Sequence, residues 1–312
     1  MAKIVTIGSV NMDLVMHSER MPSPGETIKA GNFYTNPGGK GANQAVAVAK
    51  LGGESILLAR TGDDGYGKEL TAALEKYGVN TSCVKTTKSC CSGMAIISIM
   101  TGGENSITII GGANDRLLPQ DVDDIENQIA SADAVMVQLE VSTDTVKRAI
   151  QIAKKHNKLT VIDPTPVPPG GIPDELFEVD IFSPNKSETE LLTGLVIKTD
   201  NDIKKACNLF LSKGAKQIVM KLGSEGVFIM DKNGNAKHIP AFKVKPVDTT
   251  AAGDSFTAGT ALRFIETGSI EQAVRFGCAA GALTVMSNGA QQAIPCRRDV
   301  EAFLKGDASF QN

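Results

Sequence analysis

Val247-Asp248-Thr249-Thr250-Ala251-Ala252-Gly253-Asp254-Ser255-Phe256 follows an extended run, Ile239 to Val247, and precedes an apolar pattern of helical period that continues to Glu266. Between the two lie residues with almost no side chain, the kind a backbone needs where it must approach a ligand closely. At the start of a helix, free N–H groups and the positive end of the dipole favour an anion. Asp254 stands at the rim of that anion site. A carboxylate there can take a proton from a substrate hydroxyl while amides stabilise transferring phosphate oxygens. An ordinary helix cap, with Asp254 satisfying free N–H groups, would read the same. The decapeptide alone leaves both readings standing, and other stretches separate them.

The chain has 312 residues, 42% of them apolar, enough for one large domain or two smaller ones. Basic and acidic residues, 32 and 35, are interspersed and leave a net charge of −3. No basic stripe points to nucleic acid and no lysine run to a membrane surface. Trp is absent and aromatics are 4%, so base-stacking platforms are scarce. The cysteines Cys83, Cys90, Cys91, Cys207, Cys278 and Cys296 form no C-x-x-C pair, and the three histidines are far apart, so no zinc spacing arises. Ile4 to Ile7 is cut short by Asn11 and Asp13 and reads as a first strand, not a secretion signal. No run approaches the ~18 apolar residues that span a bilayer. The expectation is a cytoplasmic protein with reduced cysteines.

The β-branched run Ile4 to Ile7 predicts a buried parallel strand. It leads into Gly8-Ser9-Val10-Asn11-Met12-Asp13, which puts Asn11 and Asp13 at the strand's C-terminal end, the edge where open α/β sheets bind ligands. Turn chemistry alone also favours Asn and Asp there. Leu14 to Asn36 has no helical period and reads as a β excursion. Ser92 to Met100 and Asn105 to Ile110 alternate on either side of Thr101-Gly102-Gly103-Glu104, a hairpin expected to join that excursion as a small sheet, or lid. Asn36-Pro37-Gly38-Gly39-Lys40-Gly41-Ala42-Asn43-Gln44 brackets a lysine with glycines and opens a small-residue helix. It is no Walker A loop, because Gly41 stands where Ser or Thr is required. No G-x-G-x-x-G follows a strand either, which argues against an NAD-dependent enzyme. Asn43, on the helix's first turn, can hydrogen-bond a hydroxyl.

After Pro119 the rhythm is βα. Helices are predicted over 119–130, 142–156, 188–193 and 202–212, with Ser187 and Glu190 in capping-box spacing. Strands are predicted over 134–139, 159–162, 181–183 and 217–221, ending near Glu140, Asp163, Asn185 and Lys221. Leu222-Gly223-Ser224-Glu225-Gly226 turns into a hairpin strand, Val227 to Met230. Helices over 254–266 and 270–286 close the chain, the second rich in Ala and Gly and so packed closely on another helix or a flat base. The polar tail from Gly306 is expected to fray. Such alternation means a mostly parallel sheet sandwiched by helices. The polar residues at its strand ends then gather on one edge, beside two glycine-rich loops, a set suited to a polyhydroxylated substrate and a phosphate donor.

Gly38-Gly39-Lys40-Gly41-Ala42-Asn43-Gln44 and Asp248-Thr249-Thr250-Ala251-Ala252-Gly253-Asp254 resemble the two signatures of the ribokinase-like (PfkB) sugar kinases. Gly8 to Asp13, Val137-Gln138-Leu139-Glu140, Pro184-Asn185…Glu188 and Gly223-Ser224-Glu225-Gly226 match too, in order, over essentially the whole chain. The resemblance implies one Rossmann-like α/β kinase domain, 1–312, with a β-sheet lid formed by about 14–36 and 92–111 through which two copies pair. It implies transfer of the ATP γ-phosphoryl group to the 5-hydroxyl of D-ribose, with Mg²⁺ and an activating K⁺.

Carried over by position, Asp254 is the base, and Ala251, Ala252 and Gly253 form the anion hole. Asn11, Asp13, Gly39, Lys40, Asn43 and Glu140 hold the sugar, with Asp254 at the reacting hydroxyl. Asn185 and Glu188 act near Mg²⁺ and the phosphates. Lys221, Leu222, Gly223, Ser224, Glu225, Gly226 and Cys278 line the nucleotide pocket with Asn185 and Gly253. Asp248, Thr250, Thr284, Ser287, Gly289 and Ala293 surround K⁺. Ala293 stands where some members place Ser, which removes a side-chain oxygen, and Cys278 where a polar residue often meets the nucleotide. Kinases of the family acting on 2-deoxyribose, fructose or a nucleoside share these motifs. Asn11 favours ribose over deoxyribose, since a buried amide facing a missing hydroxyl loses a partner. A sugar- or nucleotide-sensing binding protein is the rival of another class, and the intact Asp254 argues against it, because binding alone needs no base.

Overall fold

The structure, a computed structural model, describes residues 1–102 and 104–306, so Gly103 of the hairpin turn and the tail beyond Gly306 lie outside the described residues. In chain order the elements are β1 (Lys3–Ile7), β2 (Asn11–Ser18), β3 (Asn32–Gly38), α1 (Lys40–Lys50), β4 (Glu54–Gly62), α2 (Gly65–Lys76), β5 (Val84–Thr87), β6 (Gly93–Met100) and β7 (Asn105–Ile110). There follow α3 (Pro119–Asp123), α4 (Glu126–Ser131), β8 (Ala134–Val137), α5 (Thr143–Lys155), β9 (Leu159–Ile162), β10 (Ile181–Phe182), α6 (Lys186–Thr193), α7 (Asp200–Ser212) and β11 (Gln217–Lys221). The chain closes with β12 (Val227–Asp231), β13 (Ala236–Ile239), α8 (Ala252–Thr267), α9 (Ile270–Thr284) and α10 (Arg297–Leu304).

Nine strands form the main sheet in the order β13-β12-β11-β10-β9-β8-β1-β4-β5. From β11 to β5 every pairing is parallel, and β12 and β13 add an antiparallel edge. Alternate residues of a strand face opposite sides, and the two cores follow that rule. Ala134 and Met136 of β8 join a core with α1, α8 and α9, while Val135 and Val137 join one with α5 and α7. Both faces are covered, which explains why these strands read as continuous apolar runs.

A second, four-stranded sheet has the order β3-β2-β6-β7. One of its two central strands, β2, starts at Asn11, with only Gly8, Ser9 and Val10 between it and the end of β1, so the small sheet is rooted at the C-terminal edge of the main one. The extended run expected to reach Val247 stops at Ile239, and Pro240 and Pro246 interrupt the segment beyond it, each lacking an N–H for a ladder. The helix expected over 119–130 divides at Ile125, whose φ of −111° leaves the helical well, into α3 and α4.

Candidate active site

The loop before α1 is pressed against the end of β1. Gly39 has φ 91°, and a Cβ there would lie 2.6 Å from the Asn11 amide nitrogen. A Cβ on Gly41 would lie 2.5 Å from the Gly8 carbonyl carbon. This approach brings the first turn of α1 to the strand edge that carries Asn11, Glu140 and Asp163. Glu140 Oε2 accepts from the Ser9 hydroxyl, from Asn11 Nδ2 at 3.3 Å and from the Lys40 amide at 3.2 Å. Asn114 Nδ2 in turn donates to Asn11 Oδ1 at 2.7 Å. Burial pushes the Asp13 carboxyl up to about 7, the Glu140 carboxylate adding to it and Lys40 opposing. Burial works against the Lys40 ammonium, but Asp254, Glu140, Asp163 and Glu188 outweigh it and hold its pKa above the usual lysine value.

α8 starts at the opposite wall. Its N-cap, Ala251, is left-handed with φ 60°, and no side chain caps this end. The amides of Gly253 and Asp254 have no acceptor among the described residues, whereas that of Ala252 reaches the Thr249 carbonyl at 3.3 Å. Asp254 is 7% exposed and does not cap its helix. Instead Oδ2 accepts from Asn43 Nδ2 at 3.0 Å and Oδ1 from Gln44 Nε2 at 3.3 Å. Burial pushes Asp254 up to about 6, with Lys40 drawing it down and Asp163 and Glu140 adding to the rise. Asn43 Oδ1 is buried with no hydrogen-bond partner, an acceptor left unsatisfied beside Asp254.

Beside the head of α8 opens a cavity of about 390 Å³ lined by Lys221, Gly223, Ser224, Gly226, Gly253 and Cys278, together with Phe242, Val244, Phe256 and Val285. Its walls are mostly apolar, with Lys221, Ser224, Thr249 and the Gly253 backbone as polar members, the form of a site for a flat heterocycle with an anionic tail. Burial pushes the Cys278 thiol up to about 12, so it offers neutral sulfur. One cavity and one carboxylate thus meet at the same two free amides.

The model of the pfkB family of carbohydrate kinases matches residues 1–297. The chain belongs to that family. It is 39% identical to a ribokinase of Haemophilus influenzae over 98% of this chain and 99% of the relative. It is 35% identical to a deoxyribokinase of Salmonella typhimurium over 96% and 98%. Among solved structures it is similar to Arabidopsis thaliana ribokinase complexed with ribose and ATP, at 35% identity and a TM-score of 0.91, covering 98% and 99% of the two chains.

Against the pfkB expectations, Asn11, Asp13, Gly39, Lys40, Asn43, Glu140 and Asp254 do converge. Leu222 packs on the core and exposed Glu225 does not line the cavity. Asn185 and Glu188, not Ser187 and Glu190, form the capping box of α6: Asn185 Oδ1 accepts from the Glu188 amide at 2.8 Å and Glu188 Oε2 from the Asn185 amide at 2.7 Å. Burial raises the Glu188 pKa, with Lys221 opposing and Asp163 adding.

The loops around 248 and 289 are tied together, Asp248 Oδ2 accepting from the Gly289 amide at 2.9 Å and the Val247 amide donating to the Val285 carbonyl at 2.7 Å. Asp248 Oδ1 accepts from Thr250, and the Thr284 hydroxyl lies 2.9 Å from Ser255 Oγ. Among the described residues no group of three or more His, Cys, Asp or Glu is placed to hold a metal ion, and no helix is long and apolar enough to cross a membrane.

The sequence pattern gave no individual role to Ser9, Gln44, Asn114 or Gln138, and placed Asp163 only among the polar strand ends. Gln44 is wholly buried at the fifth position of α1, and Asp163 directly follows β9. The one signal was position, a polar residue beside Asn43 or at a strand end.

Proposed function

We propose that this chain transfers the γ-phosphoryl group of ATP to the 5-hydroxyl of D-ribose. The observation that carries the reading is the meeting of Asp254, two unengaged amides and the nucleotide-sized cavity at the head of α8. Asn11, Asp13, Lys40, Asn43 and Glu140, with the backbone at Gly39, hold the sugar hydroxyls. Asp254 orients the 5-hydroxyl and takes its proton as that oxygen attacks the γ-phosphorus, and ADP leaves in line. Ala251, Ala252 and Gly253 form the anion hole, with the Gly253 and Asp254 amides free to donate and the Ala252 amide turning from Thr249.

Glu188 fits a Mg²⁺ site that needs one carboxylate, the substrate phosphates and water as its other ligands, with Asn185 fixing the carboxylate in place. The ion would supply charge neutralisation on the phosphates. Asp248, Thr250, Ser287, Gly289 and Ala293 lie on the two tied loops and Thr284 is the last residue of α9 beside them, which supports a K⁺ site there. Ala293 offers it only a backbone oxygen. The small sheet serves as a lid that excludes water and as the face of a homodimer. Cross-strand register puts Tyr34, Val15, Ile97 and Ile107 in one row, and Asp13, Ala95 and Ile109 in the next. Tyr34, Ile107 and Ile109 are exposed, an apolar face that asks for cover.

ADP release with Mg-ATP tests the reading, offering ribose, 2-deoxyribose, fructose and adenosine, each with and without K⁺. Turnover on ribose well above the other three is expected, and higher with K⁺. The similarity to a deoxyribokinase keeps 2-deoxyribose as the second reading. Asn11 discriminates less than its burial suggests, since Asn114 and Glu140 already engage it. Equal turnover on the two pentoses would remove Asn11 as the selector, and silence on all four would remove the activity.

A further inference from the structure

Two buried side chains given no part in the chemistry so far point at the reacting centre. Gln44 is 0% exposed, and its Nε2 lies 3.3 Å from Asp254 Oδ1 and 3.4 Å from Asp163 Oδ2. Gln138 Nε2 donates to Gln44 Oε1 at 2.5 Å, which turns the amide so that its two N–H groups face the two carboxylates. Asp163, 1% exposed, also accepts from Thr257 Oγ1 at 3.0 Å and from Lys221 Nζ at 2.7 Å. Lys221 lines the nucleotide cavity. An unbroken chain of polar contacts, Asp254–Gln44–Asp163–Lys221, therefore runs through the wall between the sugar and nucleotide sites.

A primary amide is the neutral group that can donate to two carboxylates at once. With Gln44 in place the carboxylates sit on either side of one nitrogen, close enough to repel. That repulsion favours the protonated form of Asp254, and the Lys221 ammonium weakens it by pairing with Asp163. The other charged groups facing the pair are Lys40, Glu140 and Asp13 on the sugar side and Glu188 from α6.

We propose that Gln44 and Asp163 are positioning residues for Asp254, and that this relay links the protonation of Asp254 to phosphate binding at Lys221. When nucleotide phosphates draw the Lys221 ammonium away, the charge on Asp163 is less compensated and Asp254 becomes the stronger base. Proton affinity at the sugar site rises as the phosphate donor arrives. The proposal rests on Asp254 as the base.

The test is the acid limb of kcat against pH, at saturating D-ribose and Mg-ATP. Gln44→Leu removes a donor to the ionised carboxylate and shifts the limb to higher pH. Asp163→Asn removes a like charge and shifts it to lower pH, each by about half a unit or more. Gln44→Leu also lowers kcat by about tenfold or more while the ribose KM changes by less than about threefold. Titration calorimetry of Mg-ADP near pH 6.5, in two buffers of different ionisation enthalpy, reads proton uptake on binding, which Asp163→Asn should abolish.

Limbs that stay in place or move the same way in variants with native melting behaviour would overturn the relay, as would undiminished uptake in Asp163→Asn. If Asp163→Asn does not fold, Lys221→Met carries the same test with the limb moving upward. Asp254→Asn separates the two claims. Near-wild-type turnover there refutes the base itself, whereas an inactive Asp254→Asn with unmoved limbs in the others refutes only the relay.

Discussion

Asp254 and Asp13 are carboxylates held near neutrality by burial, at about 6 and about 7. In the proposed reaction Asp254 must be ionised to take the hydroxyl proton, and an ionised Asp13 is the stronger acceptor for a sugar hydroxyl, so kcat/KM for ribose should fall as pH drops below about 7, and a flat profile from pH 8 to 5 would refute that requirement. Asp254→Asn should cut kcat by about a hundredfold or more. The same substitution should not lower the melting temperature at pH 8, because it removes a buried charge and keeps the shape. A folded-state pKa above 3.8 means that Asp254 and Asp13 support the ligand-free fold below pH 4 and cost it stability as pH rises through about 6 and 7. Asp121 has the opposite sign. Burial opposes its ionisation, yet Arg60, Lys85 and the Leu118 amide hold its pKa down at about 2. Its contribution is present above pH 4 and lost as pH falls through about 2, so Asp121→Asn should melt lower than the parent at pH 7 and approach it in acid.

At the scale of elements, the contact between the α1 loop and β1 is the most demanding. A Cβ on Gly41 meets Gly8 backbone at 2.5 Å, with no flexible side chain to yield. Gly41→Ala should therefore cost about 1–3 kcal/mol in urea unfolding, and Ala at Gly65, where nothing lies within 4 Å of a Cβ, should cost far less. Strands with both faces covered were the most legible elements, because a β-branched run flanked by turns has few other readings, and β9 and β11 fall where the pattern put them. The α6 cap was misread because Asn185…Glu188 and Ser187…Glu190 share one spacing. Only the end of β10 decides which residue is outside the helix. That Asp254, Asn43 and Glu140 come together at one edge was legible through motif and strand-end logic. The Gln44–Asp163 contact was not, since 119 residues separate the two and only the sheet order places the end of β9 against α1.

At the scale of the whole molecule, the two sheets divide the work. The main sheet fixes Glu140, Asp163 and the cavity, and the small one brings Asn11 and Asp13 from a strand that leaves the body. Its apolar face predicts a dimer in solution. Sedimentation should give twice the chain mass, and an Ile107→Lys, Ile109→Lys double variant should give the single mass, whereas an unchanged profile would place the interface elsewhere. β2 has its root at Asn11 and its far end at Ser18. Seven steps of about 3.3 Å make it a bar roughly 23 Å long, and a tilt of 10° about the root would carry the far end by ~4 Å. The strand is thus a lever whose fulcrum lies at Asn11, where we propose the sugar binds. A second copy gripping the rows at Asp13 and Val15, two and four steps from the root, would hold the lever by its near half, so a tilt as one sugar seats would reach the neighbouring molecule as torque on the shared face while Ser18 swings widest.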